Sequence, residues 1–480
     1  MENKTKQLNS ELKFGVKSFI ATCSILLGIM ILAGVLTFFV APGQYEDVID
    51  ANGNVIGKTF KFLAESEVSR LPIWRWFTAP FEALLWGKGN FTIIQVIVII
   101  LVLGGTFKVL DQTGGLYALV SLVVNKFFNK RYTAIWVITL VMMILSSCFG
   151  LQEQLLILFP LLLTFATAMN WSKVLAISLV LITTGVGFTV ALFNPFTIGM
   201  AVANAQADVT ITDGIWYRLI IFAALYALTS LYLVNWAKRD ERRNGNKPIT
   251  NELSSLSEAE KLEYVKKAKV IVALFGSALA VIILASVIPF IAKLGIGMVL
   301  MAVTFVVGSF IIGAKFLGGL KNTFKCFFEG LVDLAPSVVI VLLAFSVKYI
   351  AEQGKILDTL FYYCHQFICS QSPYVAVLLL YVVILGFEFF IPSASAKAVL
   401  LIPLLTSVPI PGLSVNIIIL AFLFADGYTN VLFPTCGTLV IGISLANVSY
   451  VEWIKKTGLF QLALFVVSLA FLFFGVYIGL

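Results

Sequence analysis

The sequence predicts an all-α protein that spans a membrane many times and consists of two related halves. Hydrophobic residues make up 60% of the 480 residues and charged residues only 12%, which is outside the range of soluble domains. Apolar runs of about 20 residues, the length that crosses a bilayer as a helix, recur along the chain. Polar residues, prolines and glycines interrupt these runs at matching places, such as Gly114 and Gly354, which are 240 residues apart.

The repeat contains two kinds of interruption. A polar turn at Phe149–Gln154 in the first half corresponds to one at Pro392–Ser395 in the second. Further along, Asn194–Thr197 corresponds to Pro434–Thr438, where proline interrupts a second apolar run. Pro- and Gly-broken segments at corresponding places in two halves are typical of the binding site of a secondary transporter.

The distribution of basic residues predicts that the two halves are inverted relative to each other across the membrane. A predicted amphipathic helix at 115–131 ends in Lys126, Lys130 and Arg131, whereas its counterpart at 355–371 has no basic cluster. Because cytoplasmic segments are rich in Lys and Arg, the first helix is expected inside and the second outside. The N-terminus is then cytoplasmic, and the expected location is the cytoplasmic (inner) membrane of a bacterium.

The predicted organisation has four parts. They are an N-terminal span with an extracellular segment (1–90), a first repeat (91–236), a cytoplasmic linker (237–268) and a second repeat (269–480). Each repeat contains a re-entrant hairpin followed by a broken helix, at about 132–170 and 171–206 in the first and about 373–411 and 414–447 in the second. A single span is predicted at about 328–350. Fully spanning hairpins would preserve the same orientations, so both versions stay open.

Two charged residues lie at the predicted hairpin turns. Glu153 is at the first turn, and an ionisable residue at membrane depth is costly enough to indicate function, with a structural ion pair as the alternative. Lys397 is at nearly the matching place in the second hairpin. Two roles are open for it: contact with a substrate carboxylate, or neutralisation of Asp426 or Glu388 in a buried pair.

Polar residues around the turns and breaks complete the predicted substrate and ion site. Ser393 and Ser395 offer hydroxyls at the second turn. The other candidates flank the helix breaks; they are Asn194, Thr197, Asp426, Asn430 and Thr435. Carbonyl ends of broken helices bind Na⁺, so a Na⁺ site is predicted near Asn194, Thr197, Asp426 and Thr435. No cofactor is expected besides a coupling ion, Na⁺ or H⁺.

Composition argues against several other functions. The net charge of +8 comes from Lys and Arg in loops between apolar runs, which is the positive-inside pattern and predicts no nucleic-acid partner. The single histidine, His365, and six scattered cysteines favour neither a metal site nor a Ser-His-Asp triad. No Gly-rich ATP-binding loop is present, so ATP is not expected to drive transport. No nucleophile–base pair or metal cluster is visible in the sequence, so an enzyme is not expected. A channel remains an alternative, because broken helices also line pores.

At these residues the chain resembles the YfcC-like and C4-dicarboxylate anaerobic carrier (DcuC) transporters of the ion-transporter superfamily. The motifs that carry the resemblance are Gly150-x-x-Glu153, Asn194-Pro195-Phe196-Thr197-x-Gly199, Pro392-Ser393-x-Ser395, Asp426-Gly427-x-x-Asn430, Pro434-Thr435-x-Gly437 and Tyr217-Arg218. The form Pro-Ser-x-Ser-x-Lys that ends in Lys397 is also similar to the aminobenzoyl-glutamate transporter family. The resemblance implies an inverted-repeat fold and an elevator-type carrier that is often a homodimer.

The predicted function is secondary transport of a small carboxylate-bearing metabolite across the lipid bilayer. Similar proteins are described as arginine/ornithine antiporters or as dicarboxylate carriers. An amino acid is favoured, with Glu153 facing its ammonium or guanidinium group and with Lys397, Ser393 and Ser395 facing its carboxylate. The alternative is a Na⁺-coupled C4-dicarboxylate carrier in which Lys397 anchors the anion.

Overall fold

A computed structural model describes residues 16–49, 55–64, 71–87, 90–115, 118–119, 130–244, 258–288, 296–391, 393–407 and 410–480. Within these ranges, ten helices are long and apolar enough to cross a membrane. The prediction of an all-α protein with many membrane spans is therefore confirmed. Most of the helix predicted at 115–131 lies outside the described residues, as does Pro392.

The first half contains eight described helices and one small sheet. In chain order these elements are α1 (Val16–Phe39), β1 (Gly43–Ile49) and β2 (Val55–Phe62), α2 (Ile73–Trp86), α3 (Asn90–Gln112), α4 (Arg131–Phe149), α5 (Phe159–Ala168), α6 (Lys173–Val190), α7 (Ile198–Asn204) and α8 (Ile215–Asn244). A short 3₁₀ turn at Gln154–Leu158 leads into α5. The two strands are antiparallel, with Gly43 opposite Phe62.

The second half repeats this order of elements without a sheet among its described residues. Its helices are α9 (Glu258–Val287), α10 (Gly297–Phe316), α11 (Leu320–Leu334), α12 (Pro336–Gln353), α13 (Leu357–Cys369), α14 (Pro373–Phe390), α15 (Ala394–Ser407), α16 (Val415–Thr429), α17 (Gly437–Leu445) and α18 (Tyr450–Ile478). Equivalent contacts are exchanged between the halves: α3 packs on α11, while its counterpart α12 packs on α2. Such reciprocal packing is expected of two halves that are related by a pseudo-twofold axis.

The bases of the two helical hairpins, α4–α5 and α14–α15, lie at opposite ends of α8, a helix of about 45 Å. At its C-terminal end, Glu241 accepts hydrogen bonds from Arg131 at 3.0 Å and from the Trp171 indole at 2.8 Å, at the base of the first hairpin. Beyond its N-terminal end, Gly214 lies against Leu480, whose carbonyl accepts a hydrogen bond from Ser414 at the base of the second hairpin. This arrangement is the one expected of an inverted repeat. The inverted repeat, the orientation in a bilayer and the re-entrance of the hairpins stay predictions.

The two broken helices, α6–α7 and α16–α17, form the centre of the protein and run antiparallel. Every residue from 174 to 190 and from 417 to 429 is buried, as expected for segments that are apolar on all sides. The Lys173 ammonium at the start of α6 donates to the Asn447 carbonyl beyond α17 at 2.6 Å. Just beyond α7, the Gln206 amide donates to the Thr406 hydroxyl of the second hairpin at 2.9 Å.

Three segments differ from the sequence-based expectations. The single span predicted at 328–350 is divided at Ala335, because Pro336 begins a new helix and proline favours a first helical turn. The linker predicted at 237–268 is helical at both ends, through α8 and α9, and residues 245–257 lie outside the described part. The strands β1 and β2 were not predicted.

The sheet is held against α13. The Tyr45 amide donates to the Asp358 carboxylate at 3.0 Å, and the Gly43 amide donates to the Lys355 carbonyl at 3.0 Å. The Phe60 and Tyr362 rings stack with their centroids 4.3 Å apart. The segment that precedes the first repeat and the segment 355–371 therefore lie on the same side of the molecule, as expected if both face outside.

Candidate functional site

The first hairpin turn and the first helix break form one packed unit. Gly150 ends α4 with φ 69°, a left-handed conformation that suits glycine. A Cβ there would lie 2.5 Å from the Asn194 Oδ1 atom, so the break approaches the turn as closely as glycine allows. The Phe193 amide donates to the Ser147 carbonyl at 3.0 Å, and Asn194 Oδ1 accepts from the Phe196 amide at 2.9 Å. Backbone groups released by the break thus find partners locally.

Each hairpin turn also contacts the helix break of the opposite half. The Thr438 hydroxyl, just past the second break, donates to the Glu153 carboxylate at the first turn at 3.5 Å. The Ser395 hydroxyl at the second turn donates to the Phe196 carbonyl in the first break at 3.3 Å. The structure therefore brings both turns and both breaks together, as the matched interruptions predict.

Two threonine hydroxyls in the breaks are buried without a protein partner among the described residues. They are Thr197 Oγ1 in the first break and Thr435 Oγ1 in the second. Buried polar groups are rarely left unpaired, so these hydroxyls are available to a ligand. Asn194 already accepts from the Phe196 amide, and Asn430 accepts from the Cys436 thiol at 3.3 Å. Of the residues predicted near a Na⁺ site, Thr197 and Thr435 are thus the ones with an unengaged hydroxyl, whereas Asp426 forms an ion pair with the Lys397 ammonium.

Lys397 lies away from any open surface, in a fully buried ion cluster with Glu388 and Asp426. Its ammonium is 2.8 Å from Asp426 Oδ1 and forms an ion pair with Glu388 Oε2. The sequence left two roles open for Lys397, and the structure has the second of them, a buried pair with acidic residues. Glu388, which has no matched partner in the first half, is its second partner. Ser393, in contrast, is exposed next to the turn.

The carbonyl groups freed at each break are capped by the long helix that follows it. The buried Arg218 guanidinium, on α8, donates to the Ala191 carbonyl at 2.8 Å and to the Leu192 carbonyl at 3.3 Å. In the second half, the Trp453 indole on α18 donates to the Val431 carbonyl at 2.8 Å. Hydrogen bonds from Gln461 and Tyr450 complete this second cap. Both breaks are therefore fixed by side chains from outside the broken helix.

Comparison with known proteins identifies the family. The family model of DcuC, the C4-dicarboxylate anaerobic carrier, matches residues 19–477. The chain belongs to the DcuC family. The protein is therefore a membrane transporter.

Individual relatives of this DcuC-family chain are distant. It is 24% identical over 418 residues to the "Putative basic amino acid antiporter YfcC" of Escherichia coli, covering 81% of this chain and 79% of that protein. It is 23% identical over 385 residues to an uncharacterized protein of Haemophilus influenzae, covering 77% and 72% of the two chains.

Two solved transporters show a weaker likeness to the DcuC-family chain. One is the Alcanivorax borkumensis YdaH transporter, at a TM-score of 0.41 and 18% identity, covering 96% of this chain and 97% of that one. The other is Neisseria gonorrhoeae MtrF, reported as an antimetabolite efflux pump, at a TM-score of 0.40 and 13% identity, covering 94% of each chain.

The caps on the broken helices were not predicted as functional, although Tyr217-Arg218 is part of the motif set.

We expect Arg218→Met to destabilise the protein by about 2–3 kcal/mol, because it leaves buried carbonyls of the first break without donors. Reversible unfolding in mixed micelles measures this effect. Arg242→Met, at an exposed position on the same helix, should change stability by less than about 0.5 kcal/mol. Equal effects of the two variants would show that the cap contributes nothing.

Proposed function

We propose that the protein is a secondary active transporter whose substrate binds where the hairpin turns meet the helix breaks. The observation that carries this proposal is the cross-contact of each turn with the opposite break, through Glu153–Thr438 and Ser395–Phe196. Non-helical backbone at membrane depth is tolerated where it is buried by protein or lines a cavity. The unpaired hydroxyls of Thr197 and Thr435 supply further polar contacts there.

The proposed substrate is an amino acid, with a basic one such as arginine or ornithine preferred. Glu153 contributes a negative charge at the first turn, which suits an ammonium or guanidinium group. Lys397 is neutralised by Glu388 and Asp426, so its charge is not available to anchor a dianion. This distribution of charge favours a zwitterion or cation over a C4-dicarboxylate. The name of the E. coli relative supports the same choice, whereas the family description supports the dicarboxylate alternative.

We further propose an elevator-type exchange by a homodimer. The moving unit would comprise both hairpins and both broken helices together with α8 and α18, because Arg218 and Trp453 tie these two helices to the breaks. The remaining helices, including the reciprocally packed α2, α3, α11 and α12, would form the scaffold. The predicted inversion of the two halves would support alternating access, since each turn would then face a different side.

Counterflow in proteoliposomes tests the substrate and the role of Glu153. Wild-type protein is expected to exchange labelled arginine or ornithine, and Glu153→Gln should weaken this exchange about 10- to 100-fold, because a charge-assisted contact is lost. Glu352→Gln is the matched control and should leave exchange unchanged. Glu352 forms an ion pair with Lys348 at 3.5 Å, away from the hairpin turns.

Other outcomes would redirect the proposal. If succinate exchanges and all amino acids fail, the dicarboxylate alternative is correct. Flux that does not saturate and needs no counter-substrate would identify a channel. Equal exchange by Glu153→Gln and wild type would remove Glu153 from the binding site.

A further inference from the structure

The second hairpin contains a cluster of charges buried at the centre of the protein. Glu388 on α14, Lys397 on α15 and Asp426 on α16 all have fully buried side chains. Lys397 contacts both carboxylates, and the Thr429 hydroxyl donates to Glu388 Oε2 at 3.1 Å. The cluster therefore joins both arms of the hairpin to the broken helix beside it.

The charges of the cluster do not balance. Two carboxylates and one ammonium carry a net charge of −1, and burial of an uncompensated charge is costly. One oxygen of each carboxylate, Glu388 Oε1 and Asp426 Oδ2, is buried with no hydrogen-bond partner in the described part of the chain. An unpaired acceptor on each acid indicates a missing positive ligand.

Among the described residues, no neighbouring group supplies the missing positive charge. The charged neighbours of Glu388 are Lys397 and Asp426. The charged neighbours of Lys397 in the described part of the chain are the two acids. The other titratable neighbours are the Tyr381 phenol on α14 and the Tyr428 phenol on α16. Ser468 on α18 lies beside Tyr381 and contributes a neutral hydroxyl to this region.

The fold itself does not demand this cluster. The corresponding positions of the first half, residues 146–148, Gln154 and residues 183–187, carry no charge, and the neighbouring Glu153 accepts a hydrogen bond from the Thr438 hydroxyl. There the Ser146 hydroxyl donates to the Met142 carbonyl at 2.9 Å within its own helix. The equivalent positions of the first hairpin and helix are therefore occupied by neutral residues, so a hairpin of this kind forms without a buried ion cluster.

We propose that the cluster of Glu388, Lys397 and Asp426 binds one proton as the coupling ion of the transporter. This inference rests on the proposed function. A proton from water on one side adds to the free oxygen of either acid, forms an O–H bond and changes the net charge from −1 to zero. After the hairpin-bearing unit moves, the bond breaks and the proton returns to water on the other side. A metal cation would instead be repelled by the Lys397 ammonium between the acids.

Two variants test the coupling in proteoliposomes. Glu388→Gln and Asp426→Asn each leave one acid paired with Lys397, so the cluster is neutral without a proton. Glu388→Gln should retain substrate exchange within about twofold of wild type, and both variants should lose at least about tenfold of the accumulation driven by an imposed pH gradient. Wild-type accumulation driven by a Na⁺ gradient at equal pH, or pH-driven accumulation by both variants, would overturn the proposal.

A second measurement does not depend on transport. Infrared spectra of the purified protein between about pH 5 and 8 should contain the carbonyl stretching band of a protonated carboxylic acid. The band should be lost in Glu388→Gln and in Asp426→Asn and kept in Asp333→Asn, a half-exposed acid paired with Lys108 at 2.9 Å. If the wild type exchanges no tested substrate, the transport proposal fails, and the presence or absence of this band still decides whether the cluster holds a proton.

Discussion

Replacement of Lys397 by Met is expected to destabilise the protein by about 3–5 kcal/mol. The reason is that Glu388 and Asp426 would remain fully buried without the ammonium that contacts both. Methionine has a similar length, so the cost would come from the lost charge and not from a cavity. Reversible unfolding in mixed micelles, compared with wild type under the same conditions, measures this difference.

Two further variants make this prediction specific. Lys348→Met removes a lysine whose partner, Glu352, is partly exposed, and it should cost no more than about 1 kcal/mol. The triple variant Lys397→Met, Glu388→Gln, Asp426→Asn has no charge in the cluster and should recover most of the lost stability, since buried ion clusters are often replaceable by neutral groups. If the triple variant is as unstable as the single one, the effect comes from packing and not from charge.

The hairpins and broken helices were predictable because their signals are local. A proline or polar group inside an apolar run must find hydrogen-bond partners at membrane depth, so Asn194–Thr197 and Phe149–Gln154 indicate a break or turn by themselves. The strands β1 and β2 lack such a signal. An isolated hairpin is only marginally stable, and this one is supported by contacts such as Tyr45–Asp358, which are 313 residues apart.

The candidate site was predictable in position but not in its pairing. The matched interruptions predicted that turns and breaks meet, and the structure places Glu153 beside Thr438 and Ser395 beside Phe196. Sequence left the partner of Lys397 open, since Asp426 is 29 residues away and the choice depends on how the hairpin folds against α16. The cap formed by Arg218 was missed for the same reason: its carbonyl acceptors are 26 and 27 residues earlier in the chain.

Replacement of Gly427 by Ala is expected to destabilise the crossing of the two broken helices and to abolish transport. A Cβ on Gly427 would lie 2.1 Å from the Thr189 amide nitrogen and 2.4 Å from Thr189 Cα, so the backbones of α6 and α16 would have to separate. Overpacking of this kind typically costs about 1–3 kcal/mol. Because both helices break within a few residues of this contact, their separation would also shift the breaks away from the hairpin turns.

Gly386 provides the matched control for this prediction, because it lies inside α14 and a Cβ there would have nothing within 4 Å. Gly386→Ala should therefore stabilise the protein by up to about 1 kcal/mol through the higher helix propensity of alanine, and it should leave transport unchanged. Unfolding in mixed micelles and substrate counterflow would be measured on both variants. A Gly427→Ala protein with normal exchange would show that the two broken helices need not touch for transport. Loss of exchange with normal stability would instead indicate that the crossing fixes the breaks without contributing to the fold.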